Sequence, residues 1–153
     1  MANKVGIITD SMACLTRELV GEYEIGGVPL NIHFEGKVYK DWVDITLSQS
    51  HEFFLKNPDS WGSSVPSPAD FLKTFREASQ QTKNILCVII SIKLSATYDA
   101  AQVVKEQAEA ELPGTAIEVL DSQTTTTAEG FVALAAARAA VEGQNLAEVI
   151  KAA

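Results

Sequence analysis

Asn84-Ile85-Leu86-Cys87-Val88-Ile89-Ile90 is apolar at every position after the first. An alternating pattern would mark a strand with one wet face. A continuous run marks a strand covered on both, as in the middle of a parallel sheet between helices. The residues beyond Ile90 agree. Ser91 and Ser95 precede a helical stripe at Tyr98, Ala101, Val104, Ala108 and Leu112, which Pro113-Gly114 ends. Ser95 is placed to cap that helix.

The pattern repeats outward in both directions. Residues 5–8 are a short apolar run closed by Thr9-Asp10-Ser11, and residues 15–23 then carry Leu15, Leu19 and Val20 at helical spacing. Residues 28–34 read as a second strand, with a hairpin turning on Gly36. Residues 47–55 read as a helix and 57–62 as a loop. Ser67, Pro68 and Asp70 form a sharp helix start, with Phe71, Leu72 and Phe75 facing inward. Toward the C-terminus, residues 116–120 are another strand, followed by Asp121-Ser122. Thr126 and Glu129 read as a capping box for a helix over 131–141, ended by Gly143, and Asn145 with Glu148 opens one more. Strands alternating with helices predict a three-layer α/β/α domain with a mainly parallel sheet. Ligands of such sheets sit beyond the carboxyl ends of the strands. Thr9, Asp10 and Ser11, Ser91, and Asp121 and Ser122 are all expected on that one rim.

Bulk properties narrow the function. At 153 residues the chain reads as one domain, residues 1–153, with 46% hydrophobic and 21% charged residues. Its net charge of −8, from 20 acidic and 12 basic residues, comes without a basic stripe. That argues against nucleic acid and against an anionic membrane surface as partners. No stretch approaches a membrane span, so stable membrane insertion is not expected, and the first residues do not form a signal peptide. Cys14 and Cys87 read as reduced thiols, Cys87 in the core. The cytoplasm is the expected location.

Two segments, 63–71 and 91–98, place hydroxyls just before helix starts and carry neither a base nor a metal ligand. Backbone N–H groups backed by hydroxyls make a neutral socket for a carboxylate or phosphate. Capping alone accounts for Ser67, but not for Ser63 and Ser64. Asp10 and Asp121 at strand ends suit a phosphate- or phosphosugar-handling enzyme as an alternative, although Asp is equally an ordinary turn residue. Asp41 and Asp44 read as solvated loop carboxylates. His33 and His51 have no companions spaced for zinc. No G-x-S-x-G, G-x-G-x-x-G or P-loop occurs. No cofactor, metal or catalytic residue is expected.

Taken in order, these residues resemble the DegV family of bacterial fatty-acid-binding proteins, which includes the FakB subunits of fatty acid kinase. Ile8-Thr9-Asp10-Ser11 with Ala13 and Leu15 is similar to the family's opening. Val28-Pro29-Leu30, Phe34, Gly36, Tyr39 and Asp41 match its next stretch. Ser63-Ser64-Val65-Pro66-Ser67-Pro68 with Phe71 resembles TSQPSP, Ser91 with Leu94-Ser95-Ala96-Thr97-Tyr98 and Ala101 resembles SSxLSGTYxxA, and Asp121-Ser122 with Gly130 matches its DS…G segment. The resemblance implies a carrier rather than an enzyme. It would bind a long-chain fatty acid whose carboxylate is held by Ser63 and Ser95, with backbone N–H groups near Ser95 and Ala96 and with Ser64 in second rank. A separate fatty acid kinase catalytic subunit would phosphorylate that carboxylate. Here Ser63 stands for Thr, Val65 for Gln, Ile92 for Ser and Ala96 for Gly. The resemblance covers the family's N-terminal lipid-head-group domain. The second domain, which closes over the acyl chain, is expected to be absent, leaving a face that favours a homodimer. A truncated scaffold that binds only a protein partner is the remaining alternative.

Overall fold

The structure, a computed structural model, describes residues 5–153. In chain order it contains β1 (Val5–Asp10), α1 (Arg17–Glu22), β2 (Gly26–Val28), β3 (Asn31–Phe34), β4 (Lys37–Lys40), α2 (Leu47–Lys56), β5 (Trp61–Ser64), α3 (Pro68–Ser79), β6 (Asn84–Ile89), α4 (Thr97–Glu111), β7 (Ala116–Asp121), α5 (Thr126–Val141) and α6 (Leu146–Ala152). The main sheet is parallel throughout, in the order β2-β1-β6-β7. Side chains alternate across a strand, so β6 feeds two cores. Ile85, Cys87 and Ile89 pack with Phe71 and Phe75 of α3 and Ala101 and Val104 of α4. Leu86 and Val88 pack with Ala133 and Ala137 of α5 and Val149 of α6. That is why the run is apolar at every position, and the expected three-layer α/β/α arrangement holds.

Alanine-rich α5 lies close to the chain after β1. A Cβ added at Gly130 would stand 2.5 Å from the Ala13 carbonyl oxygen, so only glycine fits. Among the described residues, no helix is long and apolar enough to cross a membrane.

Four expectations about elements need correction. Residues 28–34 are not one strand. Pro29 has no N–H for the ladder, and the Leu30 N–H is taken by Ser11 Oγ at 3.1 Å. The chain therefore leaves the parallel sheet after Val28 and starts a second, antiparallel sheet of order β4-β3-β5. Trp61–Ser64, read within and beside a loop, is a strand of that sheet, paired with β3. Its Gly-Ser-Ser sequence has little strand preference, and the partner strand and α2 decide the outcome. Trp61 meets Phe54 edge-on at 5.8 Å and donates to Ser50 Oγ, while Phe34 stacks on Phe53 at 4.5 Å. The third correction concerns α5, which begins at Thr126 without a capping box. Thr126 has φ 56, Thr125 makes no side-chain cap, and Glu129 turns into the core. Finally, Asp41 is buried rather than solvated and accepts the Trp42 N–H at 3.1 Å. Asp44 is exposed and accepts the Lys40 N–H.

Other local readings hold. Glu35 and Gly36 (φ 47 and 78) form the two-residue hairpin loop between β3 and β4. Ser67 caps α3 with Pro68 in its first turn, and Asn145 with Glu148 forms a capping box at α6.

Candidate functional site

Because β1, β2, β6 and β7 are parallel, their carboxyl ends emerge along one edge. The polar residues expected there are present, and most of them are tied to backbone. Asp10 accepts the Met12 N–H at Oδ1 (2.8 Å) and the Ile90 N–H at Oδ2 (3.0 Å). Asp121 Oδ1 accepts from Gln123 (2.8 Å) and Ile92 (3.3 Å). Ser11 Oγ holds Leu30, Ser91 Oγ accepts the Lys93 N–H, and Ser122 Oγ accepts the Thr124 N–H. The Ser91 N–H reaches the Thr124 carbonyl at 2.8 Å, which joins the loop after β6 to the loop after β7. The rim is therefore a set of cross-braces. Both oxygens of Asp10 are committed to backbone N–H groups inside the protein, an arrangement that caps strand ends and does not present a nucleophile.

Beneath the rim lies a group that sequence reasoning missed. Glu129 is fully buried and accepts from Thr9 Oγ1 at 3.4 Å, and its Oε2 has no hydrogen-bond partner among the described residues that meets ordinary geometry. Burial, then the charge and proximity of Asp10, push its pKa up to about 9. Burial likewise raises Asp10, opposed by the N–H groups of Ile90 and Met12. Two carboxyls in one dry site cannot both ionise, so at neutral pH the pair carries a proton, held on Glu129. The signal was present in the sequence: Glu129, Ala133 and Ala136 share the i, i+4, i+7 stripe that α5 buries.

The candidate head-group residues sit differently. Ser63 and Ser64 are neighbours on β5, so their side chains leave opposite faces of the second sheet. Ser64 Oγ is 2.8 Å from His33 Nε2 and lies opposite Asn31, whose amide donates to the Val65 carbonyl. Ser63 is exposed, and its hydroxyl makes no hydrogen bond to another described residue. Ser95 Oγ pairs with Thr97 Oγ1 at 2.8 Å and accepts the Thr97 N–H at 3.2 Å. It thus ties down the start of α4 from one position before the N-cap, which is Ala96. The Ser95 N–H is taken by the Ser91 carbonyl, whereas the Ala96 N–H has no acceptor among the described residues. Ala96 has φ −79, a conformation open to any residue, so the backbone does not demand glycine there. Ile92 and Leu94 on the same loop are 46% and 64% exposed, an apolar surface beside an open donor. Among the described residues no hydrogen bond joins Ser63 or Ser64 to the rim.

Nearby, Asp70 at the start of α3 bonds Lys40 of β4 and Ser67. Burial works against the Asp70 carboxylate, and the hydrogen bonds from Lys40 and Ser67 outweigh it, holding its pKa below the usual range. This links the second sheet to α3. No cluster of three or more His, Cys, Asp or Glu among the described residues could hold a metal ion.

Comparison with known proteins bears on the fold and the family. The DegV family model, described as "Uncharacterised protein, DegV family", matches residues 4–153. A DegV domain-containing protein of Caldanaerobacter subterraneus is 32% identical over 147 residues, 96% of this chain and 51% of the relative. A fatty-acid-binding DegV family protein from Thermus thermophilus superposes with a TM-score of 0.81 at 32% identity, covering 97% of this chain and 51% of that one. A stearic acid-binding protein from Eubacterium ventriosum gives a TM-score of 0.87 at 25% identity, over 96% and 51%. The chain spans about half the length of the curated relatives it matches.

Proposed function

The chain belongs to the DegV family, and from that premise we propose that it is the head-group domain of a fatty-acid carrier. A long-chain fatty acid places its carboxylate between β5 and the loop after β6. The Ser63 hydroxyl donates to one oxygen, and the Ser95 hydroxyl with the Ala96 N–H donates to the other. Ser64, engaged by His33, supports β5 from its opposite face. Hydrogen bonds to a charged oxygen are the strong kind, and they suit a chain whose overall charge repels anions. In this reading the chain corresponds to the family's N-terminal domain, and a second domain covers the acyl chain. A fatty acid kinase subunit then transfers a phosphoryl group from ATP to the exposed carboxylate, giving an acyl phosphate and ADP. The carrier supplies neither base nor metal for that step. It holds the head group still and keeps the reacting oxygen accessible.

The observation that carries the proposal is the 32% identity and 0.81 TM-score, over 97% of the chain, to a relative that binds fatty acid. The Ser63 hydroxyl and Ala96 N–H, both without a partner among the described residues, support the placement of the head group. Calorimetric titration with palmitate tests it. The double variant Ser63→Ala/Ser95→Ala should bind at least about tenfold more weakly, since each bond to a charged group contributes about 1.5–3 kcal/mol. Unchanged affinity in a folded double variant would remove the assignment.

A further inference from the structure

One face of the second sheet carries a serine and a histidine whose contact the carrier reading uses only as a brace. Residues directly opposite each other in an antiparallel pair point to the same side. The register therefore sets Asn31 and His33 of β3 on one face with Ser64 and Gly62 of β5, while Ile32, Phe34, Ser63 and Trp61 share the other. Ser64 Oγ stands 2.8 Å from His33 Nε2, the contact that a serine nucleophile needs with its base. Both side chains are exposed, so a reagent in water reaches them. The Asn31 amide adds a donor. Its nitrogen carries two N–H bonds. One goes to the Val65 carbonyl at 2.8 Å, and the same nitrogen lies 3.5 Å from Ser64 Oγ. Gly62, opposite His33, keeps the neighbouring space clear, since a Cβ added there would meet nothing within 4 Å. Charges at the borders of this face are paired. Lys40, opposite Asn31 on β4, is bonded to Asp70, and Glu35 of the hairpin loop is bonded to Lys56.

We infer that Ser64 is a self-acylation site, which takes a short acyl group from an activated ester with His33 as its base and the Asn31 amide as its oxyanion donor. With the ring proton on Nδ1, His33 Nε2 accepts the Ser64 proton as Oγ bonds to the acyl carbon. The carbonyl oxygen takes up the electron pair, and the second N–H of Asn31 Nδ2 stabilises it. The oxyanion then collapses, the bond from the acyl carbon to the leaving oxygen breaks, and His33 returns the proton to the departing oxygen. Among the described residues no carboxylate orients the ring through Nδ1. The expected product is therefore a lasting serine ester rather than rapid turnover. This site lies on the opposite face of β5 from Ser63 and does not depend on the fatty-acid reading.

The test treats the folded protein with 4-nitrophenyl acetate, follows nitrophenolate release, and maps the acetyl group by peptide fragmentation, which separates Ser64 from Ser63. The wild type should release a burst of about one equivalent and carry the ester on Ser64. His33→Gln keeps a hydrogen-bonding group beside Ser64 but removes the base, and it should slow formation of that ester by at least about a hundredfold. Asn31→Ala removes the oxyanion donor and should slow it by at least about tenfold. Acetylation of surface lysines should be equal in all three proteins and serves as the internal reference. Three results would each overturn the inference: no ester on Ser64 of the wild type, an ester on Ser63 instead, or an ester on Ser64 that forms as fast in His33→Gln. His33 is exposed, so His33→Gln is expected to fold, and an unchanged melting curve checks it. The mapping on the wild type stands without any variant.

Discussion

The rim of the parallel sheet and the head-group candidates on β5 and the loop after β6 both contain serines, and they use them differently. At the rim, Asp10, Ser11, Asp121 and Ser122 spend their side chains on backbone N–H groups. Among the described residues, Ser63 on β5 keeps an unpartnered hydroxyl and Ala96 on the loop an open N–H, while Ser95 braces Thr97. Polar groups that are buried must be satisfied internally, whereas exposed ones remain available to a ligand. The difference separates braces from binders, and substitutions in the two regions should therefore separate stability from binding.

The largest effect is expected beneath the rim. Gly130→Ala forces a Cβ to 2.5 Å from the Ala13 carbonyl, and overpacking of that kind costs about 3 kcal/mol. A melting curve close to wild type would mean that α5 and the segment after β1 are not in fixed contact.

Glu129 gives an effect of the same order, and it depends on pH. Its folded pKa, about 9, lies above its unfolded value of 4.5. Its stabilising contribution is therefore complete below pH 4.5 and is lost as pH rises toward 9, because the unfolded state releases the proton first. Asp10 and Asp41, also raised by burial, act with the same sign. Chemical denaturation should show lower stability at pH 8 than at pH 5, by up to about 4 kcal/mol for one full proton over three units. Glu129→Gln should flatten that slope. An equally steep slope in the variant would place the titration elsewhere.

Asp10→Asn is a smaller perturbation of the same brace. An amide NH₂ would face one of the two N–H groups that Asp10 accepts, and an unsatisfied buried group costs about 1–3 kcal/mol. The loss should appear in denaturant midpoints, with palmitate affinity per folded molecule little changed. A large loss of affinity without loss of stability would make Asp10 a binder after all. The smallest effect belongs to Ser63→Ala, whose stability should stay within about 0.5 kcal/mol of wild type. A clear fall in melting temperature would show that its hydroxyl is a brace.

The same contrast explains what the sequence disclosed. The run 84–90 declared a strand covered on both faces because both of its faces are core. Ser67-Pro68 and Asn145 with Glu148 declared helix starts because capping is local chemistry. The second sheet was less legible. Trp61–Ser64 becomes a strand through pairing with residues some thirty positions away, and the break at Pro29-Leu30 depends on a hydroxyl contributed by Ser11. Glu129 is easily misread because a capping box and a buried stripe share the same spacing near a helix start. Its burial is decided by the approach of β1 and Asp10, which is tertiary. The head-group serines stood out as residue types, but their opposite facing on β5 emerges only from the pairing register.

The most direct test of the carrier reading is native mass spectrometry of the purified chain incubated with palmitate, in parallel with Ser63→Ala/Ser95→Ala. One bound fatty acid is predicted on the wild type, and a largely empty double variant with an unchanged charge-state envelope. A wild type that takes up no fatty acid, or a double variant loaded as fully as the wild type, would contradict it.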